Sequence, residues 1–286
     1  MVRMVHDAGV EDSHQTSPHK ASMFRWLADV REIWPSPVAE SSKTTTGAWG
    51  ETLGAKRPLA TLLPGERARV LRFFHVRDAK MCLASYLLKR RAIVHACDVP
   101  WALAILSEDH HRRPYYQPQV GSETYFDFNV SHHGTMVALV GCTTPKVRVG
   151  VDVVQIPWEK ELPLVLRDGF ENWITTYRDI FSTQELEGMI RCPEGDERHD
   201  VAHAKMKLRR FYTHWCLKEA FIKMKGRVAR QLVEGSGISK CHDALPFGRG
   251  DEPRWCQSLG GSKHQGRCLA VRAAFGGCDD GITCLG

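Results

Sequence analysis

Two apolar runs, Phe126–Val130 and Thr135–Cys142, are separated only by Ser131-His132-His133-Gly134. Runs of this length, split by a short polar stretch ending in Gly, read as a β-hairpin. A third run, Val147–Val154, is rich in Val and follows the punctuating Pro145. The flanking sequence is helical in character. From about Glu66 to Cys97, Leu83, Leu87 and Leu88 form an apolar stripe, Asp78 can cap the main helix, and Pro100 ends the segment. Further helical patterns occupy about 182–192 and 202–225, across the charged loop Pro193–Asp200. Residues 35–58 read as a Pro/Ser/Thr/Gly loop, and 107–124 as a polar loop. Residues 1–22 are expected to be disordered.

The chain has 286 residues, 43% hydrophobic and 25% charged, an ordinary globular balance. No apolar run is long enough to span a bilayer, and the N-terminal acids Asp7, Glu11 and Asp12 argue against a leader peptide. We therefore expect a soluble, cytoplasmic protein. Ten cysteines, none in a CxxC pair or at zinc-ligand spacing, read as reduced thiols. The formal net charge of +6 favours an acidic partner: nucleic acid, an anionic membrane, a polyphosphate cofactor or an acidic protein.

Four constellations carry chemistry. In Val149-Gly150-Val151-Asp152-Val153-Val154, period-two geometry puts the odd-numbered valines on one face and Asp152 on the other. A carboxylate in such a strand is either a divalent-metal ligand or a rim residue hydrogen-bonded to a loop. In Trp215–Gly226, helical spacing stacks Leu217, Phe221 and Met224 into a buried stripe, with Gly226 as a stop. Trp215, Glu219 and Lys223 form a second stripe. The Glu219–Lys223 pair is either a solvated ion pair or an oxygen ligand beside a phosphate-facing ammonium. Ser131-His132, read as part of a tight turn, either bounds the hairpin or presents a hydroxyl and an imidazole to an anion. The basic residues Arg67, Arg69, Arg72, Arg77, Lys80, Arg112 and Arg113 are either a solvated helix face or phosphate-binding forks.

Their order is more specific than any one of them. Arg-Pro, Phe-Asn-Val-Ser-His, Val-Gly-Val-Asp, Phe-Ser-x-x-Glu (Phe181 to Glu185) and Trp-Cys-Leu-Lys-Glu-Ala-Phe-Ile-Lys resemble the Sfp-type 4′-phosphopantetheinyl transferases, especially the fungal members. The resemblance runs from about Arg67 to Gly226. It implies an α+β fold of two similar subdomains related by pseudo-twofold symmetry, each a small antiparallel sheet packed with helices. They would be 23–145, binding coenzyme A, and 146–226, carrying the Mg²⁺ and catalytic residues, joined near 143–148.

The resemblance also implies the reaction: transfer of 4′-phosphopantetheine from coenzyme A to a serine of an apo carrier protein, releasing 3′,5′-ADP. Asp152 and Glu219 would hold Mg²⁺, and Glu219 would also act as base. Lys223 would lie at the pyrophosphate as a third catalytic residue. Ser131 and His132 would contact the 3′-phosphate, Arg77 and Arg113 the phosphates and adenine region, and Glu185 would support the site from behind. The implied clients are carrier domains of fatty acid, polyketide and peptide synthases and of aminoadipate reductase, served by a monomer.

Two departures qualify this. Val154 stands where many bacterial members carry a third acid, so a water is expected to complete the metal shell. Residues 227–286 lack a convincing final strand pattern, Leu269-Ala270-Val271 being the one hint, so the second sheet is expected to be incomplete. Gly248–Gly266 reads like out-of-frame translation or a retained intron. The competing readings are an inactive or unstable truncated homologue and a basic nucleic-acid-binding module. The latter lacks interleaved aromatics, so neither nucleic acid nor membrane is expected as a partner.

Overall fold

The structure is a computed structural model that describes residues 23–31, 33–35, 45–110, 112–118, 124–191 and 200–225. The first half of the chain runs β1 (Met23–Asp29), α1 (Thr46–Gly50), α2 (Leu53–Ala60), α3 (Pro64–Leu71), α4 (Val76–Cys97), β2 (Leu106–Glu108), β3 (Pro114–Tyr116), β4 (Asp127–His133) and β5 (Met136–Cys142). The second half contributes α5 (Trp158–Asp168), α6 (Phe170–Ile174), α7 (Thr183–Ile190) and α8 (Val201–Lys225). Helices packed on small antiparallel sheets make the architecture α+β, as the family resemblance implied.

The hairpin forms, but its turn is shorter than expected. Asp127 pairs with Cys142 and His133 with Met136, leaving only Gly134 and Thr135 in the turn. Gly134 has φ +64°, the positive value that lets a two-residue turn match the strand twist. Pairing therefore continues through Ser131, His132 and His133, which belong to β4 and not to the turn. Strand β1 pairs with the other edge of β5, giving the order β1-β5-β4. The alternation of buried Phe24, Trp26 and Ala28 in β1 is plain in hindsight. One sheet face packs Phe24, Trp26, Phe128 and Leu139 against Met81, Ala84 and Leu88 of α4. The other packs Met136, Ala138, Val140 and Cys142 against Val149, Val151 and Val153.

Residues 147–154 are not a ladder-forming strand, contrary to expectation. The segment is extended, and side chains of β4 replace the backbone ladder. Asp127 Oδ2 accepts from the Val149 amide at 2.7 Å, Asn129 Oδ1 from Val151 at 3.2 Å and His133 Nδ1 from Gln155 at 2.8 Å. Alternate β4 residues share one face, so their side chains meet alternate amides of the crossing segment.

The supposed loop at 35–58 holds α1 and α2 in its described part, because Thr45 and Thr52 cap their first turns through the amides of Ala48 and Ala55. The helical stretch Glu66–Cys97 breaks into α3 and α4 at Phe73–His75. The residue preceding α4 is His75, and Asp78 lies within the first turn, not at the cap. The polar stretch 107–124 contributes to the β2–β3 pair, with Leu106 opposite Tyr116 and Glu108 opposite Pro114.

In the second half, α5–α8 enclose their own core, including Phe170, Trp173, Ile174, Met189, Leu208 and Phe211. Ser182 and Glu185 close the start of α7 with a reciprocal capping box. The described cysteines Cys82, Cys97, Cys142 and Cys216 are free thiols. No described helix is long and apolar enough to cross a membrane. Among the described residues of 146–225 there is no strand pairing. The expectations for residues 1–22 and for the atypical tail 227–286, with its second sheet, lie outside the described residues.

Candidate active site

The extended segment 149–155 is a wall shared by two bodies. Its odd-numbered valines face the sheet, and Gly150 and Asp152 face α8. A Cβ on Gly150 would stand 2.0 Å from the carbonyl oxygen of Ala220 and 2.9 Å from the amide nitrogen of Met224, so helix and segment touch backbone to backbone. This close approach explains a correction on α8. Leu217 and Phe221 are only half-buried, while Cys216, Ala220 and Met224 are buried. The helix turns its small side chains, not its largest, toward the segment. Trp215, at the head of the Glu219–Lys223 line, packs on the α5–α8 core.

At this wall the structure brings together four of the expected site residues. Asp152 is 7% exposed, and its Oδ1 accepts from Lys223 Nζ at 2.6 Å and from Ser131 Oγ at 2.8 Å. Lys223 Nζ also donates to Ser131 Oγ at 2.9 Å. The fourth residue, Glu219, lies one turn before Lys223. Burial raises its carboxyl above the ordinary range, the Asp152 charge adds to this, and Lys223 partly offsets it. Among the described residues no donor is bonded to Glu219. Beneath them, burial together with Asp152 pushes the Cys216 thiol far up.

The other expected residues are placed differently. His132 follows Ser131 on β4, and its ring reaches the surface. Partial desolvation against the protein, with Lys223 and Lys89 nearby, lowers its pKa from the ordinary value, which favours the neutral imidazole at pH 7. Arg77 is exposed in the first turn of α4, with Nε 3.7 Å from Asp78 Oδ1. Arg113 is turned inward: both terminal nitrogens donate to protein acceptors, including Asp127 Oδ2 at 2.8 Å and the carbonyl of Val149 at 3.1 Å. Its neighbour Arg112 is exposed, with φ +62°.

Glu185 does not touch Asp152 or Glu219 directly. It receives Lys218 Nζ at 2.9 Å, and the same ammonium donates to the carbonyl of Ile180 at 2.7 Å and lies 4.5 Å from the centre of the Phe181 ring. Lys218 immediately precedes Glu219, so this buried pair fixes the helix turn from which Glu219 projects. Sequence reasoning did not single out Lys218, Asp127 or Asn129. The S-x-x-E spacing of Ser182–Glu185 is a capping-box signature that could have marked the start of α7, but no spacing marks its ion-pair partner.

A hard divalent cation fits the donor set. Burial and the facing Asp152 charge raise the cost of ionising Glu219, which a cation would relieve, and hard oxygen donors suit Mg²⁺. Among the described residues no three His, Cys, Asp or Glu side chains are grouped so that they could hold a metal ion by themselves. Val154, at the position of the absent third acid, packs on the α5–α8 core.

Comparison with known proteins identifies the family. Residues 54–144 match the family model "4′-phosphopantetheinyl transferase, N-terminal", and residues 148–269 match "4′-phosphopantetheinyl transferase superfamily". The second match extends beyond Gly226, where the motifs recognised by eye end. The chain is 35% identical to 4′-phosphopantetheinyl transferase 1 of Fusarium mangiferae over 74% of this chain and 69% of that protein. It is 33% identical to 4′-phosphopantetheinyl transferase NpgA of Emericella nidulans, over 75% of this chain and 64% of that protein. It is also 32% identical to the L-aminoadipate-semialdehyde dehydrogenase-phosphopantetheinyl transferase of Xenopus laevis, over 57% and 49%. With its motifs in order and its acids, lysine and serine gathered at one wall, the chain belongs to the 4′-phosphopantetheinyl transferase family and is a transferase.

Proposed function

We propose that the chain transfers 4′-phosphopantetheine from coenzyme A to a serine hydroxyl of an apo carrier protein, with Mg²⁺, and releases 3′,5′-ADP. The observation that carries this reading is the Ser131–Asp152–Lys223 cluster with Glu219 one turn away. The carrier serine oxygen bonds to the β-phosphorus of coenzyme A, and the bond from that phosphorus to the bridging oxygen breaks. Glu219 takes the serine proton as general base. Lys223 places its ammonium where charge collects on the leaving phosphate. Neutral His132 can donate to the 3′-phosphate, and exposed Arg77 can engage phosphate oxygens as a fork; Ser131 was expected beside them, but its one hydroxyl proton is donated to Asp152. Arg113 was expected to share that task, but its guanidinium is already occupied. Asp152 and Glu219 would hold Mg²⁺, which supplies charge neutralisation and Lewis acidity at the pyrophosphate.

The formal charge of +6 suits both coenzyme A and an acidic carrier. We take the clients to be carrier domains of fatty acid, polyketide and peptide synthases and of aminoadipate reductase, met in the cytosol by a monomeric enzyme. The direct test incubates the protein with coenzyme A, Mg²⁺ and an apo carrier protein. A mass gain of one phosphopantetheine on the carrier is expected. No gain with any carrier class overturns the reading.

A further inference from the structure

Arg113 lies where three chain segments converge. It ends the tight loop between β2 and β3, in which its amide donates to Asp109 Oδ1 at 2.8 Å. Its Nη1 donates to the carbonyl of Lys223 at 2.5 Å, with Met224 O at 3.4 Å. Its Nη2 donates to Asp127 Oδ1 and Oδ2 at 2.9 and 2.8 Å, and to Val149 O at 3.1 Å. Asp127 Oδ2 in turn accepts from the Val149 amide at 2.7 Å. The side chain is only 7% exposed. One planar fork therefore touches β4, the 149–155 segment and the last turn of α8. Those are the three segments that carry Ser131, Asp152 and Lys223.

The chemistry of the contacts suits a guanidinium alone. Lys223 is held at both ends: its carbonyl by Arg113 and its ammonium by Asp152. A guanidinium has five donors in a rigid plane, enough for acceptors on all three segments, whereas an ammonium is a point donor on a flexible stem.

We infer that Arg113 is a positioning residue that sets the spacing between Asp152 and Lys223, and that it acts through Asp127, Val149 and the Lys223 carbonyl instead of through the cofactor. What that spacing serves rests on the transferase reading above; the clamp itself does not. Arg113→Lys in the full chain is the test. By amide hydrogen exchange, Val149 and Val151 should lose protection by roughly tenfold or more, while the β4–β5 ladder amides keep theirs. Unchanged protection at Val149, or loss across β4–β5 as well, overturns the clamp. In the transfer assay the same variant should lose roughly 10²-fold in kcat, with the KM for coenzyme A and the affinity for 3′,5′-ADP within about threefold of wild type. Recovery of kcat by Lys, or a loss confined to KM and 3′,5′-ADP affinity, makes Arg113 a phosphate contact and overturns the inference. Wild-type protein that transfers nothing, with the exchange result intact, counts against the transferase reading and leaves the clamp standing.

Discussion

At the scale of single residues, Glu219 and Lys223 would be an unremarkable helix-surface pair were it not for Asp152. The wall of residues 149–155 brings that second carboxylate onto Lys223 and leaves Glu219 with a raised pKa. Glu219→Gln removes a charge that Asp152 opposes, so the fold should not suffer. The melting temperature should stay level or rise, while the transfer rate falls roughly 10²–10⁴-fold as the base is lost. Mass spectrometry of the carrier and a thermal melt check the two halves; a near-normal rate removes Glu219 from the chemistry. His132→Ala should weaken coenzyme A binding by roughly 10- to 100-fold, the effect of one hydrogen bond to a charged group. Titration with dephospho-coenzyme A should show little change; equal losses for both ligands rule out the 3′-phosphate contact.

At the scale of elements, α7 and α8 are joined by a buried charge pair. Burial tends to raise the Glu185 pKa. The ammonium of Lys218 and the amide of Ser182 outweigh it, so the folded value lies below the ordinary 4.5. A folded pKa below the unfolded one stabilises the protein above pH 4.5. That contribution fades as pH falls through the lower, folded value. Glu185→Gln should therefore flatten the stability profile in that acid window, as read by denaturant melts at stepped pH. Lys218→Met, which leaves Glu185 buried and uncompensated, should cost about 3–5 kcal/mol.

These elements also mark how far the sequence could be read. Helices α7 and α8, the hairpin and the long α4 follow from periodicity and capping, which are local. Strand β1 went unseen because its partner, β5, lies more than 100 residues away in sequence. Helices α1 and α2 hide among Ser, Thr and Gly, where capping threonines look like loop residues. Asp152, Glu219 and Lys223 stood out through ordered motifs. The inward turn of Arg113 did not, since no spacing rule states which acceptors a guanidinium will find.

For the whole molecule, the residues of the candidate site come from both halves: Ser131 and His132 from β4, and Asp152, Glu219 and Lys223 from the segment and helix beyond it. A ligand that bridges them should bind only when the halves are docked, and so should stabilise the native chain as a unit. Coenzyme A with Mg²⁺, at about 100 times its dissociation constant, should add about 2.7 kcal/mol of stability. A melting curve unmoved by saturating ligand would mean that the two halves do not present one binding surface.

The shared wall at 149–155 also limits how the chain can vary in length. Its odd-numbered residues belong to the sheet and its even-numbered ones to α8, so parity is what keeps Asp152 in the polar cluster. Inserting or deleting one residue between Pro145 and Asp152 would move the valines onto the helix and the carboxylate into the apolar layer under Ala138 and Val140. Length changes there can be absorbed only in pairs, or by a bulge that restores the phase before Asp152.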